Sequence, residues 1–326
     1  MFNYKPLSGE PGGPPATTNE AEDTEARALR EAARGTNLRV RRLRRGEEAS
    51  VLATLRAQPV KNVMSSGLIL DNGLENDGNR GTFYGCFAGG ELKGVSLIGH
   101  HVLLSGSLAC AGVFARLARL RHMPDIRVLL GEDVLVARFC RRLEEAPNGL
   151  SAHQRARHLL LSLSGVARGG ETFAGLRQAL PEETLGVVRM NADAFMELYG
   201  VNPTSHDPSG FRQRTLTRVR MGRVWVITDE AGIIFKTEVV SATDDAVYLE
   251  GVFTRPDARG TGLGSAALRA LCRTLLGRYK AICLLADAGN ARTLDFYRKI
   301  GFAPEASYML VRYAGPVERH AAEARP

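Results

Sequence analysis

The sequence predicts an α+β protein built from two related modules in tandem. Its 326 residues correspond to about two domains of ordinary size. Strand-like alternation followed by a helical stretch begins at Leu38 and again at Leu185, 147 residues later. Two hairpin patterns, containing Phe83 and Val224 in their first strands, lie 141 residues apart. The nearly constant offset indicates a repeat of one module, and chance recurrence of a common β-α-β-β pattern is the alternative.

Composition and charge exclude several classes of protein. Hydrophobic residues make up 44% and charged residues 24% of the chain, which is typical of a globular protein. No apolar run approaches the roughly 20 residues that a membrane-spanning helix needs. The first 20 residues lack the order of a secretory signal, so we expect a cytoplasmic protein. The net charge of +8 is compatible with nucleic acid and with a phosphate-rich cofactor.

The cysteine and histidine residues do not indicate a metal site. The five cysteines form no CxxC pair and predict reduced thiols in the core. His100 and His101 are adjacent on a predicted strand, and their side chains would therefore point to opposite faces. We expect no metal.

The chain divides into five predicted segments. The Gly/Pro-rich start and the Ala/Glu/Arg stretch after it have almost no apolar face, which predicts a disordered tail. In the second module we predict a strand from Leu185 and then a helix capped by Asn191 or Asp193. The predicted segments are 1–36, a disordered tail; 37–145, the first module; 146–184, a helical linker with Pro and Gly breaks; 185–314, the second module; and 315–326, a frayed polar tail.

The segment from Tyr248 to Leu276 carries the clearest chemical signal. A predicted strand, Tyr248–Thr254, is ended by Pro256, and a helical pattern follows from Ser265. Glycines between the strand and the helix let the main chain approach a ligand closely and turn its N–H groups toward it. Because a helix N-terminus also carries partial positive charge, we expect this segment to bind a pyrophosphate.

A dinucleotide-binding fingerprint is the competing interpretation. Gly262-x-Gly264-x-x-Ala267 matches it, and Asp287 follows at a suitable distance. However, a loop containing Pro256 separates the strand from the glycines. Too few residues also remain after Asp287 to complete a doubly wound sheet.

Two blocks in the second half resemble the GNAT family of acyl-CoA N-acyltransferases. Arg259-x-x-Gly262-x-Gly264 after a strand and a Pro loop is similar to motif A of that family. Asn290, then Tyr297, then Gly301-Phe302 is similar to motif B. The clear resemblance covers residues 185–313. More loosely, the whole chain resembles bacterial tandem proteins in which a divergent GNAT-like domain precedes a GNAT domain.

The resemblance implies two tandem GNAT-like domains, each with a mixed, strongly twisted sheet and flanking helices. It also implies acetyl-CoA as co-substrate, with its pantetheine arm in the gap between two splayed parallel strands. Asn290 would bond to the pantetheine or to nearby backbone. The residues implied to bind the pantetheine and pyrophosphate are Val252, Phe253, Thr254, Arg259, Gly260, Thr261, Gly262, Leu263, Gly264 and Ser265.

Acetyl transfer to an amine needs a base, an oxyanion donor and an acid. For the base we predict Glu250, acting through water, with an exposed or ion-paired carboxylate as the alternative and Glu238 in reserve. The donor would be a main-chain N–H near Phe253. Tyr297 lies where the resemblance implies an acid for the departing thiolate, and the alternative is a core aromatic.

We predict an acetyl-CoA-dependent N-acetyltransferase acting on a primary amine of a small molecule, protein or peptide. The alternative is a non-catalytic acyl-CoA sensor or scaffold. Arginines between Arg212 and Arg223 form the densest basic run, but few aromatics interleave them, so we do not expect nucleic acid as a partner. Without a long apolar run, we expect no membrane partner either. The first module has no RxxGxG, which predicts a wall of the acceptor site or a surface for a homodimer rather than a second acyl-CoA site.

Overall fold

The computed structural model describes residues 18–122, 125–145, 150, 152–165, 173–200, 202–205 and 207–313. The first helices and strands in chain order are α1 (Thr18–Ala33), β1 (Arg39–Arg42), α2 (Glu48–Leu55), α3 (Pro59–Asn72), β2 (Gly81–Ala88), β3 (Glu91–Gly99), β4 (His101–Gly106), α4 (Leu108–Arg121), β5 (Val128–Glu132), α5 (Asp133–Glu144) and β6 (Ala152–Ser164). The chain continues with β7 (Arg177–Gln178), α6 (Thr184–Tyr199), α7 (Pro208–Arg220), β8 (Val224–Asp229), β9 (Gly232–Ala242), β10 (Ala246–Thr254), α8 (Leu263–Leu276), β11 (Ala281–Asp287), α9 (Ala291–Ile300) and β12 (Ala303–Tyr313).

The chain folds into two compact units with the same order of elements. The N-terminal unit comprises the described residues of 18–160 with 287–289 and 305–313, and the C-terminal unit comprises those of 161–286 with 290–304. The series β1-α2-α3-β2-β3-β4-α4-β5-α5 recurs as β7-α6-α7-β8-β9-β10-α8-β11-α9. The tandem α+β repeat predicted from the sequence is therefore confirmed, and both predicted hairpins are present as β2–β3 and β8–β9. In the described parts of the chain, every helix is too short or too polar to span a bilayer.

The sheet of the N-terminal unit includes the last strand of the chain. Its order is β1-β2-β3-β4-β5-β12, followed by β6, and from β1 to β12 the pairs are antiparallel except for the parallel pair β4–β5. In β12, Tyr308 lies opposite Glu132 and Arg312 opposite Val128. Val311 and Tyr313 are buried in the core of this unit, where the Tyr313 hydroxyl lies 3.3 Å from Cys140 Sγ. The residues that close this sheet thus lie far along the sequence from the rest of it.

The predicted disordered tail is wrong for residues 18–33, which form α1. This helix packs on α4 and buries Ala28 and Ala32 in the core of the N-terminal unit. Its apolar face is narrow because it consists largely of alanines, and small side chains let two helices approach closely. Residues 1–17, the rest of the predicted tail, and 315–326, the predicted C-terminal tail, lie outside the described residues.

The predicted strand at Leu185 is also wrong, because this segment belongs to helix α6. The helix begins where Glu183 accepts a hydrogen bond from the Leu180 N–H at 2.8 Å and pairs with Arg177 at 2.7 Å. Val187 and Met190 are then buried on one helical face, so tertiary packing outweighs the strand preference of adjacent valines. Neither Asn191 nor Asp193 is a cap, since both lie inside α6.

The predicted helical linker, 146–184, contains a 13-residue strand instead. This strand, β6, is rich in Leu, Arg and Ala, which favour helices in isolation, but strand pairing decides its structure. The division between the two units falls inside β6, after Leu160. The observed units therefore differ from the predicted 37–145 and 185–314, both at β6 and at β12.

We expect Val311→Ala to destabilise the N-terminal unit by roughly 2 kcal/mol, because Val311 is fully buried in that core. Hydrogen exchange followed by mass spectrometry would show faster exchange in peptides of α4 and β5. Peptides of β8 and β9 serve as the internal control. Faster exchange in β8 and β9 with none in α4 would contradict the assignment of β12.

Candidate functional site

Strand β10 of the C-terminal unit is irregular where a ligand would lie. It pairs with β9, with Glu250 opposite Glu238 and Phe253 opposite Lys236, so that two residues of β10 face one residue of β9. One of the two, Gly251, has φ of +63°, a left-handed conformation that favours glycine at such a bulge. The bulge interrupts the main-chain ladder between Glu250 and Phe253, and Val252 lies within it.

Strand β10 also separates from its other neighbour near the bulge. The parallel pairing of β10 with β11 covers Ala246–Tyr248 against Ala281–Cys283. Within the described residues no further pair joins these strands, although β10 continues to Thr254. An extended polar ligand could therefore add to β10 on the side where the ladder with β11 has ended.

Helix α8 presents its N-terminus beyond the end of β10. Its N-cap is Gly262, whose φ of +85° is left-handed, and a Cβ there would meet no atom within 4 Å. Gly264 lies so close to the strand that a Cβ on it would be 2.7 Å from Thr254 Oγ1. The first N–H groups of a helix have no acceptor within it, so this open end of α8 suits an anion.

The loop before α8 is held by side chains at its two ends. Arg259 donates through Nε to the Thr254 carbonyl at 2.9 Å and makes a two-bond ion pair with Glu197 of α6, at 3.0 and 2.7 Å. Its guanidinium also lies 5.1 Å from the centre of the Phe253 ring. Thr261 donates to the Ala258 carbonyl at 2.9 Å. The Arg259 side chain thus connects the loop to α6 and β10. The segment from Gly260 to Ser265 can offer its main-chain groups to a ligand.

The predicted motif B residues lie on α9. Asn290 caps this helix by accepting a hydrogen bond from the Thr293 N–H at 3.0 Å. Tyr297 is buried, with its ring edge-on to Phe296 and Phe302 at centroid distances of 5.2 and 5.7 Å. Burial, and to a smaller extent the nearby Cys272 thiol, raises the pKa of Tyr297 well above its usual value. The phenol therefore keeps its proton at ordinary pH.

The two carboxylates considered as the base differ in their surroundings. They lie opposite each other on one face of the sheet, with Glu250 half-buried on β10 and Glu238 buried on β9. Burial acts to raise the pKa of Glu238, but the charges of Arg218 and Lys236 and a hydrogen bond from Asn191 outweigh it and hold the pKa well below its usual value. Because a base needs a pKa near the working pH, Glu238 is unsuitable for that role.

A buried polar network surrounds Glu238. Its carboxylate lies 2.6 Å from Arg218 Nε and 3.0 Å from Lys236 Nζ, and it accepts a hydrogen bond from Asn191 Nδ2 at 2.7 Å. Lys236 also donates to Asn191 Oδ1. No sequence pattern singles out Lys236, Asn191 was predicted as a helix cap, and Arg218 belongs to the basic run between Arg212 and Arg223. The one available signal was the i, i+2 spacing of Lys236 and Glu238, which puts both on one strand face.

The N-terminal unit lacks this arrangement at the equivalent position. A single residue, Ser107, separates β4 from α4, and its hydroxyl accepts a hydrogen bond from the Cys110 N–H at 3.3 Å. No glycine loop therefore precedes α4, and one of its first N–H groups is bound by the Ser107 side chain. In the described residues the five cysteines are buried free thiols, and no group of three or more His, Cys, Asp or Glu could hold a metal.

Comparison with known proteins agrees with this geometry. Residues 220–304 match the acetyltransferase (GNAT) domain family, a span that contains β8 to β11, α8 and α9. The C-terminal unit carries a GNAT domain. No curated protein matches the chain significantly.

Solved structures resemble the chain beyond the GNAT domain. A GNAT-family acetyltransferase from Colwellia psychrerythraea has TM-score 0.52 and 9% identity, covering 85% of this chain and all of its own. A tandem GNAT protein from the clavulanic acid biosynthesis pathway has TM-score 0.52 and 15% identity, covering 86% and 99%. A GCN5-related N-acetyltransferase from Sphaerobacter thermophilus has TM-score 0.51 and 14% identity, covering 86% and 97%. At these identities the likeness shows the fold, which is that of tandem GNAT proteins.

Proposed function

We propose that the GNAT domain transfers an acetyl group from acetyl-CoA to a primary amine. The observation that carries the proposal is the convergence of the β10 bulge, the end of the β10–β11 ladder and the N-terminus of α8. The pantetheine would pair with Val252, Phe253 and Thr254, and the pyrophosphate would accept hydrogen bonds from the main chain of Gly260 to Ser265. The Arg259–Glu197 pair would keep that loop in place.

The chemistry follows from the groups around the bulge. Glu250 would take a proton from the amine, directly or through water, so that the nitrogen lone pair can attack the thioester carbonyl. The oxyanion would be held by a main-chain N–H near Phe253. Collapse of the intermediate breaks the C–S bond, and Tyr297 would give the departing thiolate its proton. Because the thioester is already activated, holding the two reactants together supplies much of the rate.

Calorimetric titration with acetyl-CoA, beside an identical titration with NAD, tests the ligand. We expect one site per chain for acetyl-CoA, since a single residue, Ser107, stands where the C-terminal unit has its glycine loop. Release of free CoA thiol with a panel of amines then tests the reaction. Binding of NAD in place of acetyl-CoA would overturn the proposal. Binding of acetyl-CoA without thiol release from any amine would favour a sensor or scaffold.

We expect Tyr297→Phe to lower turnover by at least tenfold while the acetyl-CoA dissociation constant stays within about twofold. The substitution removes only the hydroxyl, and the ring contacts with Phe296 and Phe302 remain. Phe296→Leu is the control, because it alters the same aromatic cluster and keeps the phenol. Unchanged turnover in Tyr297→Phe would remove this residue from the mechanism.

A further inference from the structure

Two of the five cysteines lie side by side in the N-terminal unit. Cys86 of β2 is paired with Gly94 of β3, and residues paired in this way carry their side chains on one face, with Cβ positions about 4.5–5.5 Å apart. A Cβ on Gly94 would lie 3.0 Å from Cys110 Cβ and 3.1 Å from Cys110 Sγ. The Cys110 side chain of α4 therefore fills the space over Gly94, next to the side chain of Cys86. Both cysteines are fully buried in the same core.

The start of α4 makes the two thiols unequal. Cys110 is the third residue of α4, where the partial positive charge of a helix N-terminus favours a thiolate. The Ser107 hydroxyl donates a hydrogen bond to Cys110 Sγ at 3.3 Å. A hydrogen bond from the Cys86 thiol, with smaller contributions from Ser107, outweighs burial and lowers the pKa of Cys110 below its ordinary value. The same contact and burial raise the pKa of Cys86, so Cys110 is the nucleophile of the pair.

Cys140 and Cys272 show how a structural thiol differs from this pair. Burial is the largest influence on each of them and raises the pKa of both, which makes a thiol inert. The helix turn that contains Cys110 also lies at the protein surface, where Ser107 is exposed and Leu108 is 52% exposed. Because the ends of helices fray at a small cost in free energy, opening of this turn gives a small oxidant access to the sulfur.

We propose that Cys86 and Cys110 are a redox-active pair that a hydroperoxide converts into a disulfide between β2 and α4. The Cys110 thiolate attacks the terminal peroxide oxygen, the O–O bond breaks, and the leaving alkoxide or hydroxide takes a proton from water, which leaves a sulfenic acid on Cys110. The Cys86 sulfur then attacks the sulfenic sulfur, the S–S bond forms, and the hydroxyl group leaves with the Cys86 proton as water. The two thiols lose two electrons and the peroxide gains them. A dithiol reductant reverses the change by thiol–disulfide exchange.

This inference is independent of the proposed acetyl transfer. The N-terminus of α8 is proposed to bind the pyrophosphate in the GNAT domain, and α4 is the equivalent helix of the N-terminal unit. In that unit the same partial positive charge would stabilise a thiolate instead of a bound anion.

Peptide mapping of the full chain after peroxide treatment tests the disulfide. Trypsin cleaves between the two cysteines, after Lys93, so that they fall in peptides 81–93 and 94–116. After hydrogen peroxide is added to the folded, reduced protein, we expect these peptides to be joined with the loss of two hydrogen atoms, and to separate again on reduction. Cys140→Ala is the matched control, because it removes a buried thiol from the same unit and should give the same joined peptides. Failure to join them in excess peroxide, while circular dichroism shows the native fold, would overturn the inference.

Single-cysteine substitutions test the roles of the two thiols. In Cys86→Ser the sulfenic acid on Cys110 has no partner thiol, so dimedone should trap it there. In Cys110→Ser the remaining thiol has the raised pKa, and we expect roughly tenfold less dimedone adduct on Cys86 at equal peroxide and time. Ser107→Gly removes the hydroxyl but keeps an acceptable N-cap, and combined with Cys86→Ser it should slow adduct formation on Cys110 severalfold. Equal labelling of Cys86 and Cys110 in the two single variants would overturn the assignment of Cys110 as the nucleophile.

Discussion

Ser265→Glu should weaken acetyl-CoA binding by on the order of 100-fold without loss of fold. Ser265 is the third residue of α8, in the turn that the pyrophosphate is proposed to contact. Two unit charges about 5 Å apart repel by about 3 kcal/mol at an effective dielectric constant near 20, which corresponds to roughly two orders of magnitude in affinity. An acidic side chain in the first turn of a helix is itself favourable. The melting temperature should therefore be unchanged or raised.

Ser265→Gln is the matched control for this prediction, because it has the size of glutamate without the charge. We expect its dissociation constant for acetyl-CoA, measured by calorimetry, to stay within about fivefold of the wild-type value. An equal loss in both variants would attribute the effect to size and contradict an anion at this helix end. Wild-type affinity in Ser265→Glu would place the pyrophosphate elsewhere.

Glu238→Leu should destabilise the C-terminal unit by about 3–5 kcal/mol at pH 7. It removes the carboxylate that pairs with the buried Lys236 and with Arg218, and breaking a buried ion pair is among the costliest changes in a protein interior. The only tryptophan in the chain, Trp225, lies on β8 in the same unit, so its fluorescence during urea unfolding reports on this unit. The triple variant Arg218→Met, Lys236→Met, Glu238→Leu should recover most of the loss, because apolar side chains then replace all three charges of the ion-paired group.

The same residue makes stability depend on pH in a defined direction. The pKa of Glu238 is lowered in the folded state from an ordinary value of 4.5 by its cationic neighbours. A carboxylate with a lowered folded pKa stabilises the protein above the unfolded pKa, and this contribution is lost as the pH falls toward the folded value. Wild-type stability should thus decline from pH 6 to pH 3 more steeply than that of Glu238→Leu. Parallel curves would show that Glu238 is not the group responsible.

The parts of the site that could be predicted from the sequence are those determined by residues close together in the chain. The strand expected over Tyr248–Thr254 is β10, Ala246–Thr254, and the helix expected from Ser265 is α8, which begins at Leu263. Alternation, Pro256 and the glycines act within a few residues of one another, so a short window of sequence contains the cause of the structure. The roles assigned to Glu250, Tyr297 and Asn290 stay predictions, because they depend on a bound substrate.

The elements that could not be predicted from the sequence form through contacts with residues that are distant in the chain. Strand β6 forms from helix-favouring residues because neighbouring strands pair with it, and α1 becomes ordered because its alanines pack on α4. The network at Glu238 also depends on contacts between residues that are distant in the chain. Asn191 and Arg218 come from α6 and α7, and no property of either segment alone indicates that both contact Glu238 on β9.

The position of β12 has a consequence for how the protein is made. Ribosomes synthesise chains at about 5–20 residues per second, and domains usually fold as they emerge, the N-terminal one first. Strand β5 can pair with β12 only after the chain has been synthesised as far as Tyr313. The N-terminal unit is therefore synthesised first, but its strand pairing is completed last. The edge of β5 is open for roughly 10–30 s in each round of translation, and an open edge is where another chain can add a strand.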